Sequence, residues 1–78
     1  IEIAFSGLQA QYIATQPLHI SQRKLRTEKG MHVFGFRLIP NFEFMSYIMG
    51  LGKEVVILKP RSLRTKMKKE LQAAAGNY

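Results

Sequence analysis

The spacing of apolar residues in this chain switches repeatedly between the strand period of about 2 and the helix period of about 3.6, and that switching limits its folds more than any other feature. Ile1, Ile3 and Phe5 alternate with Glu2 and Ala4, as in a half-buried strand. Ser6 is placed to cap a short helix from Leu8 to Thr15, with Leu8, Tyr12 and Ile13 on one face, and Pro17 closes it. Leu18 to Thr27 reads as a second strand. Leu18, Ile20, Gln22, Lys24 and Arg26 share one side of it; His19, Ser21, Arg23, Leu25 and Thr27 share the other. Neither side is cleanly apolar. Glu28-Lys29-Gly30 is a hairpin turn, and Met31 to Ile39 returns as a third strand. Its two faces carry Phe34, Phe36 and Leu38, and Val33, Gly35, Arg37 and Ile39.

Pro40 breaks that strand, and Asn41 is an N-cap with Glu43 in the first turn. Phe44, Tyr47, Ile48 and Leu51 then follow as a helical stripe that packs on a sheet, and Gly50 and Gly52 stop the helix. Val55 to Leu58 is a short apolar strand ended by Pro60. Ser62 is placed to cap a last helix with Leu63, Met67, Leu71 and Ala74 on one side. The order β-α-β-β-α-β predicts an α+β, ferredoxin-like antiparallel sheet with both helices on one face, plus a C-terminal helix. The opposite sheet face must then be polar, be covered by the last helix, or be buried by a neighbour.

Seventy-eight residues make a single domain, 1–78, with a modest core. The chain opens on Ile1 in mid-pattern, which reads as an excerpt of a longer protein. It has no cysteine, so disulfides and thiolate metal sites are out, in keeping with a reducing cytoplasm. No apolar run is long enough to span a membrane. Lys and Arg outnumber Asp and Glu by 12 to 5, a formal charge of +7, which favours polyanionic partners or acidic protein surfaces unless a larger parent balances it.

Four segments in register carry a family resemblance: Pro17-Leu18-His19-Ile20-Ser21-Gln22, Phe36 through Phe44 with Pro40-Asn41, Ile48-Met49-Gly50-Leu51-Gly52, and Val55 through Pro60 with Leu63-Arg64. From Pro17 onward the chain resembles the C-terminal extension (WCX) of bacterial WYL-domain transcriptional regulators. Phe44 stands where that pattern usually has Leu, and Tyr47 where it usually has Trp; both keep an apolar helix face. The resemblance implies a parent with a DNA-binding helix-turn-helix head and a WYL barrel, neither of which is in this chain. It also implies a domain that pairs between protomers as a homodimer and lies against its own WYL domain. A nucleotide or single-stranded nucleic-acid effector is implied first for that barrel.

His19, Ser21, Gln22 and Arg37 form the sharpest polar cluster. His19 and Ser21, joined by Arg37 from the adjacent strand, have the chemistry to bind a phosphate or carboxylate, or to hold the domain to a neighbour by hydrogen bonds. The basic run Arg61, Arg64, Lys66, Lys68 and Lys69 either is solvated or touches nucleic acid in a salt-dependent way. An autonomous nucleic-acid-binding module is therefore the alternative to a regulatory and dimerisation domain. Catalysis is not expected. The five carboxylates, Glu2, Glu28, Glu43, Glu54 and Glu70, form no pair around a cleft, and His19 and His32 have no obvious acidic partner. Neither a metal nor a cofactor is expected, since two histidines without helical spacing make no zinc motif. Gly50-Leu51-Gly52-Lys53 follows a helix and precedes a strand, the reverse of a phosphate loop.

Overall fold

A computed structural model describes residues 1–78. In chain order the elements are β1 (Glu2–Phe5), α1 (Gly7–Thr15), β2 (Arg23–Glu28), β3 (Met31–Gly35), α2 (Phe42–Gly50), a 3₁₀ turn (Gly52–Glu54), β4 (Val55–Lys59) and α3 (Arg61–Ala75). The strands lie in the order β2-β3-β1-β4, and every neighbouring pair is antiparallel. This is the expected α+β arrangement, with β1 and β3 in the middle of the sheet.

The register explains where the core sits. Ile3 lies opposite Phe34 on one side and Ile57 on the other, so the three share a face. Phe5 and Phe36 join them at two-residue spacing. On that face α1 adds Ala10 and Ile13, α2 adds Ile48, and α3 adds Leu63 and Met67. All three helices therefore bury their apolar stripes on one side of the sheet. Phe5, Ile3, Ile13 and Ile48 are fully enclosed, each contributing about 1.5–3 kcal/mol relative to exposure. Phe5 meets Phe34 edge-on at 5.7 Å, and Phe36 meets Phe44 in the same way at 5.7 Å, which ties α2 to the sheet through aromatic edges.

The β2–β3 hairpin turns on two residues. Lys29 (φ 52°) and Gly30 (φ 79°) both take the left-handed conformation, and Glu28 pairs directly with Met31. That is the turn whose twist matches a two-residue hairpin. Gly30 enters it freely, whereas Lys29 does so against the clash of its Cβ with the backbone.

The second sheet face is neither open nor covered by α3. Ala4 and Val33 lie there, buried without any helix above them. Charged side chains close the surface. Arg26 of β2 reaches over β3, placing Nη2 3.1 Å from Glu2 Oε1 on β1, while its Nε sits 2.7 Å from Glu28 Oε2. Lys59 of β4 adds a looser pairing with Glu2 at 3.9 Å. A row of alternating sign thus runs from β2 over β3 to β1 and β4, and Arg26 is the register partner of Val33, so its aliphatic stem shares a face with it. Val56, at the β4 edge, stays 37% exposed.

Several boundaries differ from the expectations. Leu18–Gln22 is a turn rather than the start of β2, because the side chains of His19, Ser21 and Gln22 bond to nearby backbone and displace a strand ladder. β3 ends at Gly35, the last residue with a partner on β2; the Phe36 amide and carbonyl turn to Ile1 instead. Ser6 precedes α1 but its hydroxyl makes no capping bond and is buried without a partner. Ser62 is inside α3, whose N-cap position is Pro60, so it cannot cap. Asn41 does cap α2, accepting from the Phe44 amide at 2.8 Å. Leu8, Tyr12 and Tyr47 are largely solvent-facing, and the buried residues of α1 are Ala10 and Ile13. Along α3 only Leu63 and Met67 are buried; every residue from Lys68 onward is exposed.

Candidate functional site

The turn between α1 and β2 places the first group of expected site residues. Gln22 works as a clasp. Its Oε1 accepts from the Leu18 amide at 2.9 Å, and its Nε2 donates to the Ile13 carbonyl at 2.8 Å near the end of α1. The turn closes when the Gln22 amide donates to the His19 carbonyl at 3.0 Å. Both ends of the Gln22 amide are thereby occupied, so this side chain is structural rather than free for a ligand.

Ser21 is also consumed. Its hydroxyl oxygen accepts from the Arg37 backbone amide at 2.8 Å and lies 2.7 Å from His19 Nδ1. The Ser21 amide donates to the same Nδ1 at 3.1 Å. Since Nδ1 is an acceptor here, the neutral His19 ring carries its proton on Nε2. That Nε2–H has no partner within the chain and can meet a neighbour.

His19 lines a cleft of about 510 Å³ between the turn and α2, together with Leu18, Leu38, Ile39, Glu43, Phe44 and Tyr47. Asn41 and Glu43 hold its rim because the N-terminus of α2 opens there. Large apolar side chains in the cleft lining, and next to it in sequence, are exposed. Ile39 is 91% exposed, Phe42, the first residue of α2, 85%, and Ile20, beside His19 in the turn, 98%.

Arg37 joins this site only through its backbone. It bonds the turn through its backbone amide, and its side chain borders a separate hollow of about 210 Å³ shared with Arg23, Glu2 and Leu25. His19, Ser21 and Arg37 are thus brought together, as expected, but Arg37 enters through its backbone amide while its side chain borders the other hollow. Sequence reading missed Glu43 and Tyr47 as neighbours of His19. The signal available was their position in the first two turns of a helix that starts just after Ile39.

The second group, Arg61, Arg64, Lys66, Lys68 and Lys69, is fully on the surface, but not as one stripe. Arg61, Arg64 and Lys68 border a groove beside β4, whereas Lys66 borders a hollow on the α2 side of α3 with Glu70. The helical repeat separates them: Arg61, Arg64 and Lys68 fall at i, i+3 and i+7, while Lys66 and Lys69 lie on other sides. His32, on β3, has Lys24 Nζ 2.9 Å from its Nδ1 and is remote in sequence and element from His19. No helix is long and apolar enough to cross a membrane.

No curated protein and no solved structure matches the chain. A family model does, and it takes in β1 and α1 as well as the segments that follow Pro17: residues 1–75 match the WCX domain, a regulator-associated family. With the sheet order, the Asn41-capped helix and that match in agreement, this chain belongs to the WCX domain family.

Proposed function

We propose that this domain is a non-catalytic contact module of a bacterial, cytoplasmic transcriptional regulator of the WYL type, docking on the regulator's own WYL domain and on a second protomer. DNA is then bound by the regulator's helix-turn-helix head. The observation that carries this reading is the apolar rim of the His19 cleft. Leu18, Leu38, Ile39, Phe44 and Tyr47 line one concave surface on which Ile39 stands almost fully in water. Ile20 and Phe42, next in sequence to the lining residues His19 and Asn41, are exposed to the same degree, and exposed apolar side chains of this size mark an interaction surface. The polar groups there suit a protein neighbour better than an anionic effector. His19 Nε2–H offers one donor, and the Glu43 carboxylate in the same wall repels phosphate.

The test is light scattering of the 78-residue chain, alone and mixed with the regulator's WYL domain, beside the Ile39→Ser/Phe42→Ser variant. Wild type is expected to self-associate or to bind the WYL domain, and the variant to do neither. A wild-type chain that stays monomeric and ignores the WYL domain overturns the reading. The alternative, an autonomous nucleic-acid module, requires DNA binding that weakens steeply with salt and disappears in Lys66→Glu/Lys69→Glu.

A further inference from the structure

The two edges of the sheet are built differently. β2 presents Arg23, Lys24 and Arg26 to solvent and carries a bulge at Leu25, the usual guards against pairing with a foreign strand. β4, the other edge, reads Val55-Val56-Ile57-Leu58-Lys59, with its single charge at the end. The register shows where its backbone points. Ser6 donates its amide to the Glu54 carbonyl at 2.9 Å, which makes them a hydrogen-bonded pair, and by antiparallel alternation Ala4 and Val56 are the next. The N–H and C=O groups of Val55 and Ile57 therefore face outward, and no turn or loop of the chain takes them.

α3 runs beside this edge. Between them lies a groove of about 660 Å³ whose apolar lining includes Val55, Ile57, Met67 and Leu71, with Arg61, Arg64 and Lys68 beside them. None of the three cations pairs with a carboxylate of the chain. An apolar floor, an unguarded strand edge and an unpaired basic rim coincide at one place.

We propose that the β4 edge takes up an extended, acidic peptide segment of another protein as a fifth strand. Backbone pairing with Val55 and Ile57 supplies the docking, and carboxylates at alternate positions reach Arg61, Arg64 and Lys68. A second copy of this chain is a poor occupant. Joining two β4 edges about a two-fold axis sets both basic rims against each other. Single-stranded nucleic acid is also poorly served, since the groove contains no aromatic side chain on which bases stack.

The test titrates the 78-residue chain into two labelled short peptides, one alternating valine with glutamate, the other valine with lysine. Fluorescence anisotropy reads binding, and hydrogen exchange reads the Val55 and Ile57 amides. Saturable binding of the glutamate peptide is expected, with slowed exchange at both amides and a loss of about tenfold or more in Arg64→Glu/Lys68→Glu. Both positions are exposed, and circular dichroism confirms that the variant folds. Failure of the glutamate peptide to bind, equal binding by the lysine peptide, an unaffected double variant, or unchanged exchange at Val55 and Ile57 each overturns the proposal. Binding of oligothymidylate at the same rim in preference to the glutamate peptide assigns the groove to nucleic acid and overturns it as well. Displacement of a self-associated dimer by the glutamate peptide assigns the edge to a second copy, with the same result.

Discussion

Arg26 and Glu2 sit on strands that are not neighbours, yet their side chains meet at 3.1 Å across the intervening β3. The contact matters less as an ion pair than as a roof. Exposed salt bridges contribute little on their own, but this one holds the stem of Arg26 over Val33, which is fully buried on a face without helices. Arg26→Ala is therefore expected to destabilise the domain more than Lys59→Ala, whose partner distance is 3.9 Å. Arg26→Leu should recover part of the loss, and more of it at high salt. Thermal melts of the three variants at low and high ionic strength check this; equal effects of Arg26→Ala and Lys59→Ala would count against the roof.

The same cluster sets a pH response. The hydrogen bond from Arg26, and then its charge, hold the Glu28 carboxyl below its ordinary value. A carboxyl depressed on folding adds stability above its unfolded value, and that stability disappears as pH falls through the folded value. Acidification from neutral pH through the carboxylate range should lower the urea midpoint, and Glu28→Gln should flatten that slope. Arg26, whose own pKa is raised by the same bonds, stays charged across the window, so the slope belongs to the carboxyl side. The effect should shrink with added salt, because both groups face solvent.

Gln22 joins the end of α1 to the turn that carries His19. Gln22→Ala leaves the Leu18 amide and the Ile13 carbonyl without their partner and should cost about 1–2 kcal/mol. For a domain of this size that corresponds to a fall in Tm of about 4–16 °C. Gln22→Glu should be similarly harmful, since a carboxylate cannot donate to Ile13. Amide exchange at Leu18 reports the loosening directly. If Leu18 exchanges no faster in the variant, the clasp is not what orders the turn.

Lys29 adopts φ 52°, a conformation that asparagine or glycine holds with less strain. Lys29→Asn and Lys29→Gly should each stabilise the domain by about 0.5–1 kcal/mol. Chemical denaturation checks both, and a destabilised Lys29→Gly would mean that the Lys29 side chain contributes something the backbone geometry does not reveal.

The large apolar side chains made most of the architecture readable in advance. Phe34 and Phe36 alternate strictly, Ile3 and Phe5 do the same, and Asn41 after Pro40 marks the start of α2; each of these signals is local, and β1, β3 and α2 lie within the spans the spacing gave, although β3 stops at Gly35. The candidate site was less legible because its controlling bonds are short-range and polar. Leu18 to Thr27 has the period of a strand, but His19, Ser21 and Gln22 satisfy the backbone themselves, so the strand begins at Arg23. With that shift of boundary Arg37 meets Ser21 through its backbone amide, and its side chain borders another hollow. Closure of the second sheet face was hidden for a different reason. Arg26, Glu2 and Lys59 are far apart in the chain, and only the strand order β2-β3-β1-β4 brings their charges into one row.

The unburied half of α3 also has a practical use. From Lys68 to Ala75 the helix continues for about 12 Å after its last enclosed side chain, still hydrogen-bonded along its axis. A fluorophore or spin label carried on Ala74 or Ala75 would thus ride on a stiff rod anchored at Leu63 and Met67, outside both the cleft and the groove. It would report how this domain swings within a larger assembly while leaving its interior untouched.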